Sequence, residues 1–340
     1  MKRWRETAAV LERVARLAQA GERAAIATVV SISGSAYRRP GAKFLVERSG
    51  TTSGGVSGGC LEADVREVAL GLLRDGGGGT RLLHYDTGAD DETVWGLGLG
   101  CEGQVRIFVQ PVGEEFARGP GAQALLRLGA RTEFGSAEPF AIETVIEGPE
   151  AGVVRVAPAG PEDATRIEGS RFVEVLRPPP VLLVFGAGDD ARPLAALAAE
   201  AGFDVTVIDH RRGYLTPERF APPLRLSLRR AEEGAPAGLG PQHFAVVQTH
   251  SLQRDREWLR ALLPLPLAYL GLLGPRGRKE ELLKQLDSAG AERLYAPVGF
   301  DLAAEGPEQV AVSIVAEMLA VRSGRPPAHL RDRRGGIHGE

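Results

Sequence analysis

The chain has 340 residues, 43% of them hydrophobic and 25% charged, with a formal net charge of -3. That length exceeds the usual size of one domain, and the composition is that of a globular protein with sizeable cores, so two domains are expected. The near-neutral charge leaves no electrostatic footprint for nucleic acid.

The N-terminal segment MKRWRETAAVLERVARLAQAGER is charged throughout and lacks the apolar stretch of a signal peptide. No run approaches the roughly 20 apolar residues that span a bilayer. A cytoplasmic location is expected. Leu11, Val14, Leu17 and Ala18 recur at helical spacing, which predicts an amphipathic helix over residues 3–20. Ala24 to Ile32 is apolar and β-branched and reads as a buried strand. After the loop SGSAYRRPGAK and a short strand at Phe44–Glu47, the glycine-rich run TTSGGVSGG opens onto a helix with Leu61, Val65, Val68 and Leu72 on one face. RLLHYD and QVRIFVQ read as strands separated by the loop GADDETVWGLGLGCEG, and FAIETVIE, GVVRVA and RFVEVL are further β-like segments.

Arg177 and Pro178–Pro180 form a stiff, donor-poor linker. The expected domains are 1–177, an α+β domain, and 178–324, with a polar mobile tail at 325–340. Beyond the prolines, VLLVF, DVTVID, HFAVVQTH and LAYLGLL alternate with helical patterns, the mark of an α/β domain with a parallel sheet. Val181–Phe185 runs into Gly186, Ala187, Gly188, Asp189, Asp190 and Ala191. The first glycine permits the tight turn, the second admits a pyrophosphate, and Ala191 lets the helix close on the strand. With Asp209 ending the next strand as a candidate ribose ligand, the unit reads as a Rossmann dinucleotide fold. Asp189 and Asp190 would repel a phosphate there. Arg211 and Arg212 either compensate, or stack on an adenine, or form a solvated turn. The Asp209 carboxylate is expected to restrict any bound nucleotide to the unphosphorylated ribose type.

Thr249 and His250 end the strand HFAVVQTH at the carboxyl edge where such sheets bind ligands, which makes His250 a candidate contact beside the blander role of an N-cap neighbour. Gly271 to Lys279 combines permissive glycines, Gly274 among them, with three cations and with Pro275 suited to a helix start. In the first half, Gly58, Gly59, Cys60 and Glu62 place a thiol at a helix N-terminus. The dipole there lowers a thiol pKa and favours soft partners such as sulfur or molybdenum. Cys101 sits in a second glycine loop, and these two are the only cysteines, too few for a structural zinc site. A functional pair is expected, against the alternative of inert core thiols. Arg38, Arg39 and Lys43 either clamp a phosphate or pterin or are solvated.

These motifs together resemble the xanthine dehydrogenase accessory factors, the XdhC/CoxI family, over residues 10–110 and 180–322. The resemblance rests on Arg39-Pro40-Gly41-Ala42-Lys43, on Ser57-Gly58-Gly59-Cys60-Leu61-Glu62, and on Gly98-Leu99-Gly100-Cys101, where Glu102 replaces a more usual glycine. In the second half it rests on Gly186-Ala187-Gly188, the VTVIDHR strand end, Thr249-His250, Tyr269 to Gly274, Pro297 to Asp301, and Pro307-Glu308, Ala311, Ser313-Ile314 and Ala316-Glu317, with Pro275 in place of the expected serine. The resemblance implies a chaperone rather than an ordinary enzyme. Such a protein binds the molybdenum cofactor (molybdopterin), shelters it while it gains its terminal sulfur, and delivers it to a molybdenum hydroxylase. The implied partners are a client of the xanthine or carbon monoxide dehydrogenase type, a cysteine desulfurase-type sulfur donor and a second copy in a homodimer. The competing reading is an NAD(P)-dependent oxidoreductase built on the same Rossmann unit, in which no compact Tyr/Lys or His/Asp pair with hydride-transfer logic is visible near the sheet edge; a nucleotide sensor is a third.

Overall fold

The computed structural model describes residues 2–34, 37–74, 79–86, 103–130, 134, 138–160, 162–286 and 290–332. Cys101 and the loop around it therefore lie outside the described residues, as does the end of the expected tail, 333–340. The chain divides into two compact units, Met1–Ala130 with Ala137–Pro178, and Arg131–Ser136 with Pro179–Glu340.

In the first unit the elements are α1 (Lys2–Gln19), β1 (Ala24–Gly34), β2 (Lys43–Glu47), β3 (Thr52–Gly54), α2 (Glu62–Arg74), β4 (Arg81–Asp86) and β5 (Gly103–Val112). Then come α3 (Glu114–Arg118), α4 (Pro120–Gly129), β6 (Phe140–Val145), β7 (Val154–Pro158), β8 (Arg166–Glu168) and β9 (Arg171–Leu176). Two antiparallel sheets form, ordered β3-β2-β1-β5-β4 and β7-β6-β9-β8. Side chains alternate across a strand, so Ala25, Ala27 and Val29 of β1 pack under α2 through Val65, Ala69 and Leu72, while Ala24 and Ile26 pack against α1 through Leu11 and Val14.

The second unit contains β10 (Val181–Phe185), α5 (Ala191–Glu200), β11 (Asp204–Asp209), β12 (Arg225–Leu228), β13 (His243–Val247), α6 (Leu252–Leu262), β14 (Tyr269–Leu272), α7 (Arg276–Leu283), β15 (Leu294–Tyr295) and α8 (Gly306–Ser323). Its six strands are parallel in the order β12-β11-β10-β13-β14-β15. This is the doubly wound order whose reversal, between β10 and β13, opens a ligand crevice at the carboxyl ends. All five residues of β10 are fully buried, because both faces are covered. Leu182 and Val184 face α5 and α8, whereas Val181, Leu183 and Phe185 face α6, with Phe185 and Trp258 ring centroids 4.4 Å apart. Among the described residues no helix is long and apolar enough to cross a membrane.

Candidate functional site

The glycine–cysteine loop of the first unit begins at Gly54. Its φ is +81°, and a Cβ there would stand 2.2 Å from the Lys43 carbonyl oxygen, so only glycine lets the chain lie this close to β2. The loop is then tied to the helix that follows it. The Glu62 carboxylate accepts from the Val56 amide at 3.0 Å, the Ser57 amide at 2.8 Å and the Ser57 hydroxyl. Ser57 Oγ in turn accepts from the Gly59 and Leu61 amides at 3.0 and 3.1 Å. Burial pushes the Glu62 carboxyl up, but the hydrogen bonds from Ser57 and Val56 outweigh it and hold its pKa below the usual value. Ser57 and Glu62 thus shape the loop. Cys60 is half-buried at its end, packed beside the apolar cluster of Val56, Leu61 and Val65. Gly59 has φ +116° and open space where a side chain would stand.

The basic turn lies against this loop, since a Cβ on Gly58 would be 3.7 Å from the Tyr37 ring. Its three cations separate. Arg38 pairs with Glu6 at 2.7 Å, Lys43 forms a buried pair with Glu174, and Arg39 is exposed.

In the second unit, Gly186 has φ +115°, and a Cβ there would stand 2.4 Å from the Gln248 carbonyl oxygen. The ends of β10 and β13 therefore meet backbone to backbone at the crevice. Ala187 N–H donates to Asp209 Oδ2 at 2.8 Å. Arg211 donates to the same carboxylate from its amide at 2.8 Å, its Nε at 2.9 Å and its Nη2 at 2.7 Å, while its guanidinium lies 3.8 Å from the Tyr214 ring centre. Burial raises the Asp209 pKa, but Arg211 and the two amides more than offset it, and the carboxyl sits below its ordinary range. The carboxylate expected to grip a ribose is thus engaged by its own chain. Asp189 and Asp190 are paired too, with Arg219 at 2.9 Å and with His250 Nε2 at 2.8 Å. His250 is exposed and holds a left-handed φ of 58°, uncommon for a non-glycine residue. Gly188 sits between this pair, 3.6 Å from the His250 ring when given a Cβ. His250 and Asp190 are 60 residues apart in the chain, so the sequence alone does not show them as a pair; the fold brings them together at the sheet edge.

Sequence reasoning missed Asp255. It is fully buried on α6 and accepts from the Thr249 amide at 3.1 Å, Thr249 Oγ1 at 2.5 Å, and Arg278 Nε and Nη2 at 2.9 and 2.5 Å. It therefore joins the β13 edge to the loop of Gly274 and takes Arg278 out of the expected trio of free cations. The signal was Ser251, an N-cap that puts Asp255 in the first helical turn. Two cavities open at this edge. One of about 390 Å³ is lined by His250, Gly274, Arg278, Phe300 and Ala303, and one of about 190 Å³ lies beside Asp209. Among the described residues no group of His, Cys, Asp and Glu is placed to hold a metal ion.

Residues 17–86 match the model of the XdhC and CoxI family. Residues 182–318 match that of the XdhC Rossmann domain. The chain is 32% identical over 315 residues to a probable xanthine dehydrogenase subunit of Bacillus subtilis (strain 168), an overlap of 88% of this chain and 94% of that protein. It is 27% identical over 307 residues to the molybdenum cofactor insertion chaperone PaoD of Escherichia coli (strain K12), covering 89% of this chain and 84% of PaoD. The crystal structure of a xanthine dehydrogenase from Bacillus halodurans matches with a TM-score of 0.74 at 27% identity, over 93% of this chain and 96% of that one. With both halves matched in order, the chain belongs to the XdhC and CoxI family.

Proposed function

We propose that this protein is an accessory factor that binds the molybdenum cofactor and hands it to a molybdenum hydroxylase of the xanthine or carbon monoxide dehydrogenase type. The observation that carries the reading is the loop of the first unit. Ser57 and Glu62 spend their hydrogen bonds on its shape, so Gly59 and Cys60 are what it offers to a ligand. The residues fit the cofactor: the open space over Gly59 leaves room for a pterin to lie against the loop, and the adjacent thiol is a soft donor. When bound, the cofactor supplies a molybdenum centre that accepts sulfur ligands. Arg39, exposed on the turn against the loop, supplies positive charge for an anionic group. The resemblance to the insertion chaperone PaoD over most of both chains supports the same assignment.

The test is transfer. Cofactor-loaded protein mixed with cofactor-free hydroxylase should activate it in proportion to the amount added, and Cys60→Ser should reduce that activation tenfold or more. Activation equal to that given by free cofactor alone would count against the proposal.

One observation favours the oxidoreductase reading: His250, paired with Asp190, lines the 390 Å³ cavity at the carboxyl edge where sheets of this kind bind dinucleotides. Oxidation of NADH or NADPH by the purified protein, abolished in His250→Ala, would support it. Absence of any nicotinamide turnover or binding would remove it.

A further inference from the structure

The smaller cavity of the second unit has a charge pattern that a ribose diol does not require. β11 and β12 end side by side at the carboxyl edge, and the chain leaving them carries His210 and Arg211 from one and Arg229 and Arg230 from the other. Arg254, on the first turn of α6, reaches the same cavity, and the buried ring of Trp258 lines it. The acids that line it are Asp209 and Glu232. Asp209 is neutralised by Arg211, as described above, and Glu232 is exposed. Arg230 and Arg254 are exposed and form no ion pair among the described residues. Burial lowers the pKa of the His210 ring; Asp209 opposes this, and the charges of Arg254, Arg211 and Arg230 add to it. Converging like charges around one concavity cost energy until an anion fills it.

Size narrows the ligand. At about 190 Å³ the cavity falls below the roughly 300 Å³ at which pockets for whole small molecules begin. It accommodates one charged group rather than a whole heterocycle. The neighbouring glycine loop is a poor competitor for that group, because the Ala187 amide is already given to Asp209 and the Ala191 and Arg192 amides close turns on Gly188 and Asp189.

We infer that the pocket between the ends of β11, β12 and α6 binds a phosphomonoester dianion through Arg229, Arg230 and Arg254. This inverts the expectation that Asp209 limits the site to unphosphorylated ribose, because the carboxylate that would repel the phosphate is saturated by Arg211. The inference does not depend on the molybdenum reading. Two sources carry the chemistry: the 2′-phosphate of an adenine dinucleotide, and the terminal phosphate of a pterin.

Titration calorimetry on the full chain at low salt distinguishes them. The probes are NADP against NAD, and a pterin bearing a terminal phosphomonoester against its alcohol. The phosphorylated member of at least one pair should bind tenfold or more tightly, with an affinity that falls as salt rises. Preference in the first pair alone identifies the nucleotide, in the second alone the pterin, and in both a pocket that reads only the phosphate. Arg230→Gln combined with Arg254→Gln should remove the preference without changing the melting temperature, since both side chains are exposed. Equal affinity within both pairs, no binding by any probe, or a preference that survives the double substitution would overturn the inference.

Discussion

Replacing Glu62 with glutamine keeps the length of the side chain but removes the charge that accepts from the Val56 and Ser57 amides and the Ser57 hydroxyl. Hydrogen bonds to a charged group contribute about 1.5–3 kcal/mol when removed, and partial exposure places Glu62→Gln at the lower end. Denaturant unfolding should show that loss. The same carboxylate makes stability depend on pH. Its pKa is lower in the fold than in the unfolded chain, so its contribution is complete at neutral pH, above the unfolded value of 4.5, and disappears as pH falls below that toward the folded value. Asp209, held low by Arg211 and the Ala187 amide after the opposing effect of burial, behaves in the same sense below its ordinary 3.8. The wild-type melting temperature should therefore fall more steeply in acid than that of Glu62→Gln. Parallel curves would show that the loop bonds add no net stability.

At the scale of elements, Asp255 is the tie among β13, α6 and α7. Asp255→Ala leaves Arg278, itself mostly buried, without its carboxylate, and removing one partner of such a pair costs about 3–5 kcal/mol. Chemical denaturation should show a loss of this size, together with changed chemical shifts around Thr249 and Gly274; a loss below about 1 kcal/mol would mean the tie is solvent-screened. The element that carries this residue was legible, and its role was not. The segment LQRDREWL shows helical spacing through Leu252, Trp258 and Leu259, but Asp255 stands among Arg254, Arg256 and Glu257 and reads as one more solvated acid. Only packing against the Thr249 edge and the Arg278 loop buries it. In the same way, β10, β11 and β13 declared themselves as apolar runs buried on both faces, whereas β12 (RLSL) is half-exposed at the sheet edge and paired only with β11, so its pattern resembles a loop. Helix α4 was hidden by glycines at positions 121 and 129. In the site, the glycine loops and Cys60 could be read from residue types. That Asp209 would be occupied by Ala187 and Arg211 could not, since it depends on the turn that brings Arg211 back onto the strand end.

For the whole molecule, the two units are not cut cleanly at the proline linker. Phe134, 6% exposed, belongs to the second unit: it joins the core of Val181, Leu183 and Trp258, and its carbonyl lies 2.7 Å from His243 Nε2. Phe134→Ala should destabilise that unit by about 3–5 kcal/mol. Hydrogen exchange should rise at β10 and β13 and stay unchanged at β1 and β5. Equal loosening of both would mean that the two units unfold as one.

The proposed function requires that this chain carries molybdenum cofactor and that Cys60 is part of the hold. The deciding experiment determines the molybdenum and pterin content of the protein purified from a cell that makes the cofactor, for the wild type and for Cys60→Ser, with melting temperatures recorded in parallel. Because Cys60 is only half-buried, the serine substitution should leave the melting temperature almost unchanged. The wild type should retain pterin and molybdenum, and Cys60→Ser should lose most of both while remaining folded. Wild-type protein free of pterin and molybdenum, or a Cys60→Ser protein that keeps both in full, would contradict the proposal.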